Sequence, residues 1–299
     1  MVTVLFIIFK IRKKVHKFTI YVVTSKEMKY LRIKGNAMGT KASEIFAKLE
    51  ALAPLSFQEN YDNCGLQVGF ETADVDKVLV CLDVTEAIIK EADELGCQLV
   101  ISHHPLIFKG LKQVSDRTYQ QRCIVEALRR GISVYSSHTC LDNAPGGVNH
   151  RIAEKLGLVG VSFLQPSTSG LFGSGLVGEL EEEISADRFF RKLQQTFRVS
   201  CLRHSEPRGR MIRRVALCGG AGAFLLPDAV KAGADCFITG ELHYHDYFEN
   251  NGVLLAELGH YQSEQYTCEL IRDTVSAAFP DIEVRITSID TNPIRYSQL

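Results

Sequence analysis

The stretch Lys77–Pro105, "KVLVCLDVTEAIIKEADELGCQLVISHHP", contains a complete strand–helix–strand unit. Its first segment, "KVLVCLDV", is a nearly continuous apolar run, which predicts a buried strand. "TEAIIKEADELG" has the apolar spacing of a helix, and Gly96 marks its end. "CQLVIS" predicts the next strand, and two adjacent histidines and a proline follow it directly. This order predicts parallel strands joined by a helix, and therefore an α/β fold.

The same alternation of strands and helices continues along the chain. Further strands are predicted at residues 132–137, 214–218, 234–239, 252–258 and 282–289, and further helices at residues 122–131, 224–233 and 260–279. We therefore predict two similar α/β lobes, each a helix-covered and mainly parallel sheet. The first lobe is expected to cover residues 38–160 and the second residues 161–299, after an N-terminal extension of residues 1–37.

The two predicted lobes share an internal repeat. "EADELGCQLVISHHP" is similar to "DAVKAGADCFITGEL" in having a helix, a glycine, an apolar strand and a polar turn. "RRGISVYSSHTCLD" and "NNGVLLAELGHYQSE" both place a histidine and, four residues later, a carboxylate after a strand: His138 with Asp142, and His260 with Glu264. All α/β units share the first similarity, so chance resemblance is the alternative to a true repeat. The matched histidine and carboxylate are not explained by this order of elements, which all α/β units share.

Composition and charge narrow the class of protein. Hydrophobic residues make up 45% and charged residues 23% of the 299 residues, as in ordinary soluble domains. The formal net charge of −1 provides no global attraction to nucleic acid, so a nucleic-acid partner is disfavoured. The nine cysteines are odd in number and include no C-x-x-C pair. Reduced thiols in a cytoplasmic protein are therefore expected, rather than disulfides or a zinc knuckle.

The N-terminal segment, residues 1–37, differs from the rest of the chain. Its apolar run "VTVLFIIF" is too short to span a bilayer, and the basic cluster "KIRKK" follows the run instead of preceding it as in a secretory signal. No membrane association is therefore expected. We interpret the segment as a poorly ordered extension, or as residues absent from the natural protein, and place the start of the folded domain at Met38.

A set of potential metal ligands follows the predicted strands: His103, His104, Asp142, His260 and Glu264. In open α/β sheets, ligands bind beyond the carboxyl ends of the strands. Adjacent histidines point in different directions and suit two neighbouring ions, whereas a histidine and a glutamate four residues apart converge on one helix face. Imidazoles with carboxylates favour Zn, Mn, Fe, Co or Ni over calcium. The alternatives are that the two adjacent histidines lie in an ordinary loop and that His260 and Glu264 lie on a plain surface helix.

Further residues near these ligands are candidates for catalysis or substrate binding. His138 could act as a general acid, and Glu264 or Asp142 could bridge two ions. The candidates for substrate contacts or ligand supports are Glu241, His243 and His245, and the amides of Gly219, Gly220 and Gly222 in "GGAG" could receive an anion. The alternative is that Glu241, His243 and His245 are exposed helix residues and that the glycines form a tight turn.

Several segments occur in the order that is typical of one known family: "ENYDNCGLQVG", "SHHP", "SSHTCLDNAPGGVNHRIAEKLGL", "FITGELHYHD" and "ELGHYQSEQ". With them, the chain from Met38 onward resembles the Nif-three-like family, whose members are described as GTP cyclohydrolase 1 type 2 homologues. It is similar to the short form of that family, which lacks an inserted domain. Tyr61 departs from the pattern, because tryptophan is usual there and this chain contains none.

The resemblance implies both a fold and a function. It implies two similar α/β lobes with two divalent metal ions in the cleft between them, metal ligands at the five positions named above, and a ring-shaped homohexamer. The implied activity is a metal-dependent hydrolase of the GTP cyclohydrolase type, in which a metal-activated water attacks a purine nucleotide; a phosphoester is an alternative substrate. A non-catalytic protein that binds or carries metal, or acts as a scaffold, is the alternative class of function.

Overall fold

The structure is a computed structural model that describes residues 39–297 and the backbone of Thr19–Ile20 and Ile33–Lys34. These two dipeptides form an antiparallel pair of strands, β1 and β2. The rest of the N-terminal extension that the sequence predicts over residues 1–37 lies outside the described residues. The candidate site lies within the unit that begins at Lys41.

The remaining strands and helices alternate along the chain. The strands are β3 (Thr40–Lys41), β4 (Gly65–Val68), β5 (Asp74–Val75), β6 (Lys77–Cys81), β7 (Leu99–Ser102), β8 (Ser133–Ser136), β9 (Leu158–Pro166), β10 (Gly173–Ser185), β11 (Arg203–His204), β12 (Met211–Cys218), β13 (Cys236–Thr239), β14 (Leu254–Glu257) and β15 (Glu283–Ile286). The α-helices are α1 (Ala42–Leu52), α2 (Glu86–Leu95), α3 (Tyr119–Arg129), α4 (Thr139–Asn143), α5 (Val148–Leu156), α6 (Ala186–Phe197), α7 (Leu226–Lys231), α8 (His260–Glu264) and α9 (Thr267–Ala278). Short 3-10 helices cover Leu55–Phe57, Ala223–Leu225 and Tyr244–Phe248. Of the helices in the described part of the chain, none has the length and apolar character needed to cross a membrane.

Two larger sheets are built from these strands. One has five strands in the order β15-β6-β7-β8-β4, and the other has six in the order β11-β14-β13-β12-β10-β9. The neighbours β15, β6, β7 and β8 are parallel, as are β12, β13 and β14. Antiparallel pairing occurs toward the sheet edges, at β4, β9, β10 and β11. The predicted α/β fold with mainly parallel sheets is therefore confirmed.

Helices α5 and α9 connect the two sheets. α9 packs on β6 and β15, α5 packs on β10 and β12, and the two helices contact each other. One buried apolar cluster therefore runs through both sheets, from Val78 and Ile101 in one to Ile212 and Leu254 in the other. Because burial of apolar surface is the dominant favourable term in folding, this shared cluster holds the two sheets together.

The ends of helix α2 explain why the first strand–helix–strand unit forms where the sequence predicts it. Thr85 caps the N-terminus by accepting a hydrogen bond from the Ile88 amide. Gly96 ends the helix in the left-handed conformation, with a φ of 70°, which glycine adopts without steric cost. The chain then enters β7, whose residues are all buried, as expected for a parallel strand covered on both faces.

The long helix that the sequence predicts over residues 260–279 is divided into α8 and α9. The residues between the two helices bond to α6 instead of continuing the helix. The Gln265 side chain donates to the Phe197 carbonyl at 3.0 Å, and the Tyr266 hydroxyl donates to the Thr196 carbonyl at 2.6 Å. Contacts with a distant helix therefore override the local helical pattern at this point.

The antiparallel pair β9–β10 and helix α6 are not predicted by the sequence pattern. β10 is the longest strand described, with 13 residues, and it contains three glycines and a run of glutamates. Both residue types are depleted in strands, so the local signal for β10 is weak. Pairing with β9 on one side and β12 on the other stabilises it nevertheless.

Candidate metal centre

His103 and His104 follow strand β7 at its carboxyl end. The backbone amide of His103 donates to the Cys81 carbonyl at 3.2 Å, and that of His104 donates to the Leu82 carbonyl at 2.9 Å, so both residues continue the pairing with β6. His103 is fully buried, whereas the His104 side chain is 21% exposed. One ring therefore lies in the interior, and the other lies at the rim of the site.

The other predicted ligands lie on short helices that follow strand ends. His260 and Glu264 are the first and last residues of α8, which follows β14, so their side chains share one helix face. Gly259 has a φ of 93° and allows the sharp turn into α8. Asp142 lies in α4, which follows β8.

The structure brings all five predicted metal ligands together. Nε2 of His103 lies 3.6 Å from Asp142 Oδ1 and 3.7 Å from Glu264 Oε1. Nε2 of His104 lies 3.0 Å from Glu264 Oε2, and Nε2 of His260 lies 3.2 Å from the same oxygen. Two groups of three ligands therefore share Glu264, with a different carboxylate oxygen facing each group.

In each of the three histidines, the same ring nitrogen makes the hydrogen bond that holds the ring. Nδ1 bonds to the Ser137 carbonyl at 3.0 Å in His103, to Asp83 Oδ1 at 2.7 Å in His104 and to Glu241 Oε1 at 2.8 Å in His260. Because these partners are acceptors, Nδ1 carries the hydrogen, and Nε2 of the neutral ring carries the lone pair that a metal ion needs. Metal-binding histidines are typically oriented by an acceptor of this kind.

The atoms that face the centre suit a cation. His104 Nε2 and His260 Nε2 lie 3.2 Å apart. His103 Nε2 and Asp142 Oδ1 are buried and have no hydrogen-bond partner within the described part of the chain. An ion with bonds of about 2.0–2.1 Å brings its ligand atoms about 3.3 Å apart, close to the spacing of these atoms. The residues present therefore fit a divalent metal ion.

The pKa values of the candidate ligands indicate that positive charge stabilises the centre. Burial alone would raise the pKa of Glu264, but the neighbouring histidines hold it well below the usual range. Burial lowers the pKa of His104, but hydrogen bonds to Asp83 and Glu264 outweigh it and raise the pKa to about 10. The same balance between burial and Glu264 raises the pKa of His260 to about 9. Burial and then the Glu264 charge raise the pKa of Asp142 to about 8. A metal ion would supply the positive charge that bound protons otherwise supply.

His138 lies beside the candidate metal ligands. Its ring centre is 5.2 Å from that of His103 and 5.4 Å from that of His104. Nδ1 of His138 donates to Asp62 Oδ1 at 2.8 Å, and Asp62 also accepts hydrogen bonds from the amide and hydroxyl of Thr139. Burial raises the pKa of Asp62, but these hydrogen bonds outweigh it and hold the pKa well below the usual range. Asp62 is therefore a charged partner for His138.

Comparison with known proteins identifies the family of this chain. Residues 40–293 match the family model described as Duf34/NIF3 (NGG1p interacting factor 3). The chain belongs to the DUF34/NIF3 family. The match confirms the resemblance to the Nif-three-like family that the sequence motifs indicate.

Relatives and solved structures agree with this DUF34/NIF3 assignment. A Clostridium perfringens protein named GTP cyclohydrolase 1 type 2 homolog is 34% identical over 228 residues, which cover 75% of this chain and 87% of that protein. A Campylobacter jejuni protein of the same name is 33% identical over 258 residues, which cover 86% and 99%. The crystal structure of a Bacillus cereus protein related to NIF3 has the same fold, with a TM-score of 0.82, 22% identity and coverage of 86% of this chain and 99% of that chain.

In this DUF34/NIF3 protein, the glycine loop after β12 packs against the candidate metal ligands Glu264 and His260. Gly220 has a φ of 61°, and a Cβ there would collide with Glu264 Oε1. The loop amides donate to side chains of the protein: Gly219 to Asn149, Gly220 to Ser263 and Gly222 to Thr239. These three amides therefore donate to groups of the protein itself. This is expected of a tight turn, the alternative interpretation to anion binding.

The remaining predicted residues lie in two different places. Glu241 contacts the centre through its hydrogen bond with His260. The His243 side chain is 90% exposed and lies 3.5 Å from Asp246, and His245 is exposed beside other aromatic residues. The structure therefore brings Glu241 to the candidate centre, while His243 and His245 lie on the surface.

Asp83 and Asp62 each hold a histidine ring, and neither is predicted from the sequence pattern. Asp83 follows β6, the neighbour of β7, so its place at the same sheet edge is a signal that could have found it. Its second oxygen accepts the Thr291 hydroxyl at 2.9 Å. Asp62 is 76 residues from His138, so no local spacing connects the two.

A pocket of about 360 Å³ opens beside the candidate metal ligands His104 and His260. The side chains of His104 and His260 contribute to its wall, next to Asp83 and Glu241. Its volume is near the lower end of the range for small-molecule sites, about 300–1000 Å³. A small molecule can therefore reach the candidate metal centre from solvent.

Proposed function

We propose that this protein is a metal-dependent hydrolase that acts on a nucleotide or a phosphoester. The observation that carries the proposal is the convergence of metal-ligand side chains beside a pocket of about 360 Å³. When bound, a divalent ion lowers the pKa of water and polarises a substrate oxygen. The relatives named GTP cyclohydrolase 1 type 2 homologues suggest a purine nucleotide as the first substrate to test.

We propose that each chain binds two metal ions. His103 and Asp142 would hold one ion, and His104 and His260 would hold the other. Glu264 would contribute one carboxylate oxygen to each group. The support for two ions is that the two groups face different oxygens of one buried carboxylate. Zn, Mn, Fe, Co and Ni all suit this set of imidazoles and carboxylates.

His138 is the residue proposed to move protons. Asp62 accepts the hydrogen on its Nδ1, so Nε2 is the nitrogen that can take or release a proton beside the metal ligands. The charged Asp62 would orient the ring. The Phe108 ring lies 6.1 Å from that of His138. This arrangement supports a general acid–base role.

Elemental analysis of the purified protein tests the metal centre first. Wild-type protein should hold close to two transition-metal ions per chain, and His260→Ala/Glu264→Ala should lose most of them. The surface variant His243→Ala/Glu249→Ala should retain them, because both side chains are exposed. Wild-type protein that takes up none of Mn, Zn, Fe, Co or Ni would contradict the proposal.

Replacement of His138 separates catalysis from metal binding. His138→Asn should reduce hydrolysis by about 10²–10⁴-fold while metal content is retained, because it removes a general acid–base group. His243→Asn is the matched control and should keep full activity, since His243 is exposed. If fully metallated wild-type protein hydrolyses neither GTP nor bis(p-nitrophenyl) phosphate, the hydrolase proposal fails for these substrates. A non-catalytic metal carrier or scaffold would then be favoured.

A ring-shaped homohexamer is the proposed assembly, and the family resemblance is its support. Light scattering on the purified protein tests this part separately from activity. A mass close to six chains is expected, and the mass of a single chain would contradict the ring.

A further inference from the structure

The segment after β15 consists of an anchored base, residues 287–292, and an exposed tip, residues 293–296. In the base, the Ser288 amide donates to Glu91 of α2 at 3.0 Å, and the Thr291 hydroxyl donates to Asp83 at 2.9 Å. Asn292, at the end of the base, is only 8% exposed. The base is therefore fastened to the sheet that contains β6 and β7 and to the helix beside it.

The tip is held differently. Ile294 is 50% exposed and Tyr296 is 44% exposed. The Ile294 amide donates to the Asn292 side chain at 3.0 Å, and Arg295 pairs with Asp290 at 3.4 Å. Both partners belong to the same segment, and an exposed ion pair of this kind contributes little to stability. These bonds therefore give the tip a shape without fastening it to either sheet.

The tip borders the route from solvent to the candidate metal centre. Pro293 and Ile294 line the same pocket as His104 and His260. The side chains of these two histidines are 21% and 30% exposed, whereas the other candidate ligands lie deeper, with His103 fully buried. A molecule that approaches the centre through the pocket therefore passes the tip.

Tyr296 extends the tip toward the other sheet. A Cβ on Gly259 would lie 3.2 Å from the Tyr296 hydroxyl oxygen, and Gly259 is the residue before His260 and α8. The segment thus begins after β15 in one sheet and reaches the helix that follows β14 of the other. A short chain that crosses a pocket in this way has the form of a lid.

We propose that the tip is a lid, which opens about the anchored base and controls the access of molecules to the metal centre. The inference rests on the metal centre proposed above and adds a control of access to it. Pro293 follows the buried Asn292, so the anchored part of the segment ends where the lid begins. Segments with few fastening contacts open locally while the rest of the fold stays closed.

Hydrogen exchange tests the opening of the tip and needs no metal. The Ser288 amide in the base and the Ile294 amide in the tip each donate to a side-chain acceptor at 3.0 Å, so their hydrogen bonds are comparable. After correction for intrinsic rates, Ile294 should exchange at least about 10-fold faster than Ser288, because the tip opens while the base stays closed. Equal protection of the two amides would overturn the lid.

Removal of Zn by a bulky chromophoric chelator, pyridylazoresorcinol, measures access to the centre. Pro293→Gly/Ile294→Gly should raise the rate of removal at least about 10-fold, because a more flexible tip without the Ile294 side chain leaves the pocket open. The Kd for Zn should stay within about 2-fold of wild type, since a lid controls passage and supplies no ligand. The matched control is Pro280→Gly/Asp281→Gly, in the exposed turn before β15, which should keep the wild-type rate.

Three results of the chelator experiment would overturn the lid. They are an unchanged rate in Pro293→Gly/Ile294→Gly, an equal increase in Pro280→Gly/Asp281→Gly, and a loss of Zn affinity large enough to explain the faster removal. The last result would mean that the tip supports the ligands instead of controlling access. Wild-type protein that takes up no Zn, Mn, Fe, Co or Ni would contradict the proposed function, and hydrogen exchange at Ile294 would still decide whether the tip opens.

Discussion

Gly220 keeps open the space in which the Glu264 carboxylate lies. Its φ of 61° is in the left-handed region, and a Cβ would collide with Glu264 Oε1 and come within 3.3 Å of His260 Nε2. Gly220→Ala should lower metal affinity at least about 10-fold, because a buried ligand oxygen must move. Competition with a chromophoric chelator measures this affinity.

Gly209→Ala is the matched control for Gly220→Ala. Gly209 has a φ of 67°, and its Cβ would meet no atom within 4 Å in the part of the chain that the structure describes. Both variants should lose roughly 1–2 kcal/mol of stability, because alanine disfavours this backbone conformation. Equal metal affinity in the two variants would show that Gly220 does not protect Glu264.

Asp83 is expected to set the orientation of the His104 ring. Its Oδ1 accepts the Nδ1 hydrogen at 2.7 Å, and its Oδ2 accepts the Thr291 hydroxyl at 2.9 Å. Asp83→Asn should lower metal affinity by about 10–100-fold, because a neutral amide is a weaker acceptor for the ring. Asp93→Asn, at an exposed position of α2, should retain wild-type affinity in the same titration. No difference between the two variants would remove Asp83 from the centre.

At the scale of elements, the segment after β15 is tied to helix α2 by Glu91. Glu91 Oε1 accepts the Ser288 amide at 3.0 Å and the Ser288 hydroxyl at 2.8 Å, and Glu91 Oε2 accepts the Thr287 hydroxyl. The same segment continues to Asn292 and Ile294 in the pocket wall. One carboxylate on α2 therefore helps to position an irregular segment that shapes the pocket.

Removal of Glu91 should loosen this segment in a pH-dependent manner. Burial raises the pKa of Glu91, but the bonds from Thr287 and Ser288 outweigh it and lower the pKa from its usual 4.5. A lowered pKa stabilises the folded state above the unfolded pKa, and this stabilisation is lost as the pH falls through the lowered value. At pH 7, Glu91→Ala should speed hydrogen exchange of the Ser288 amide at least about 10-fold.

Glu94→Ala provides the control for this effect of Glu91. Glu94 is an exposed residue of α2 that pairs with Lys90, so its replacement should leave the Ser288 amide protected. The difference between wild type and Glu91→Ala should shrink as the pH falls below 4.5. A difference that stays constant with pH would mean that the Glu91 charge is not responsible.

At the scale of the whole molecule, residues from both sheets meet at the candidate metal centre. His103 and His104 follow β7 in one sheet, and α8 with its two ligands follows β14 in the other. Metal that binds only the folded chain should stabilise it by about 2.7 kcal/mol at a free concentration 100-fold above Kd. Tm should then rise by about 5–10 °C, at about 2–4 °C per kcal/mol.

Thermal unfolding with and without added Zn or Mn measures this shift. A chelator should reverse it in wild-type protein, and His260→Ala/Glu264→Ala should show no metal-dependent change. An equal rise in that variant would place the stabilising ions elsewhere on the chain. Each protein is compared at the same concentration, because assembly also raises Tm by mass action.

Local patterns predict the parallel strands and several of the helices, and long-range contacts explain where the predicted elements differ from the observed ones. β6, α2 and β7 lie where the apolar spacing and Gly96 predict them, because these signals depend on neighbouring residues. The break between α8 and α9 depends on Gln265 and Tyr266, whose partners on α6 are 68 and 70 residues away. The apolar spacing around Gln265 and Tyr266 does not indicate these distant partners on α6.

By itself, the sequence determined the α/β class, the family resemblance and the kinds of side chain available for a metal centre. Only the tertiary structure decided which distant residues meet: Glu264 approaches His104 across 160 residues, and β15 pairs with β6 in the sheet of the first half. It also decided that Asp83 orients a histidine ring. The physical reason is that spacing within a strand or helix follows from local backbone geometry, whereas contacts between elements depend on how whole sheets pack.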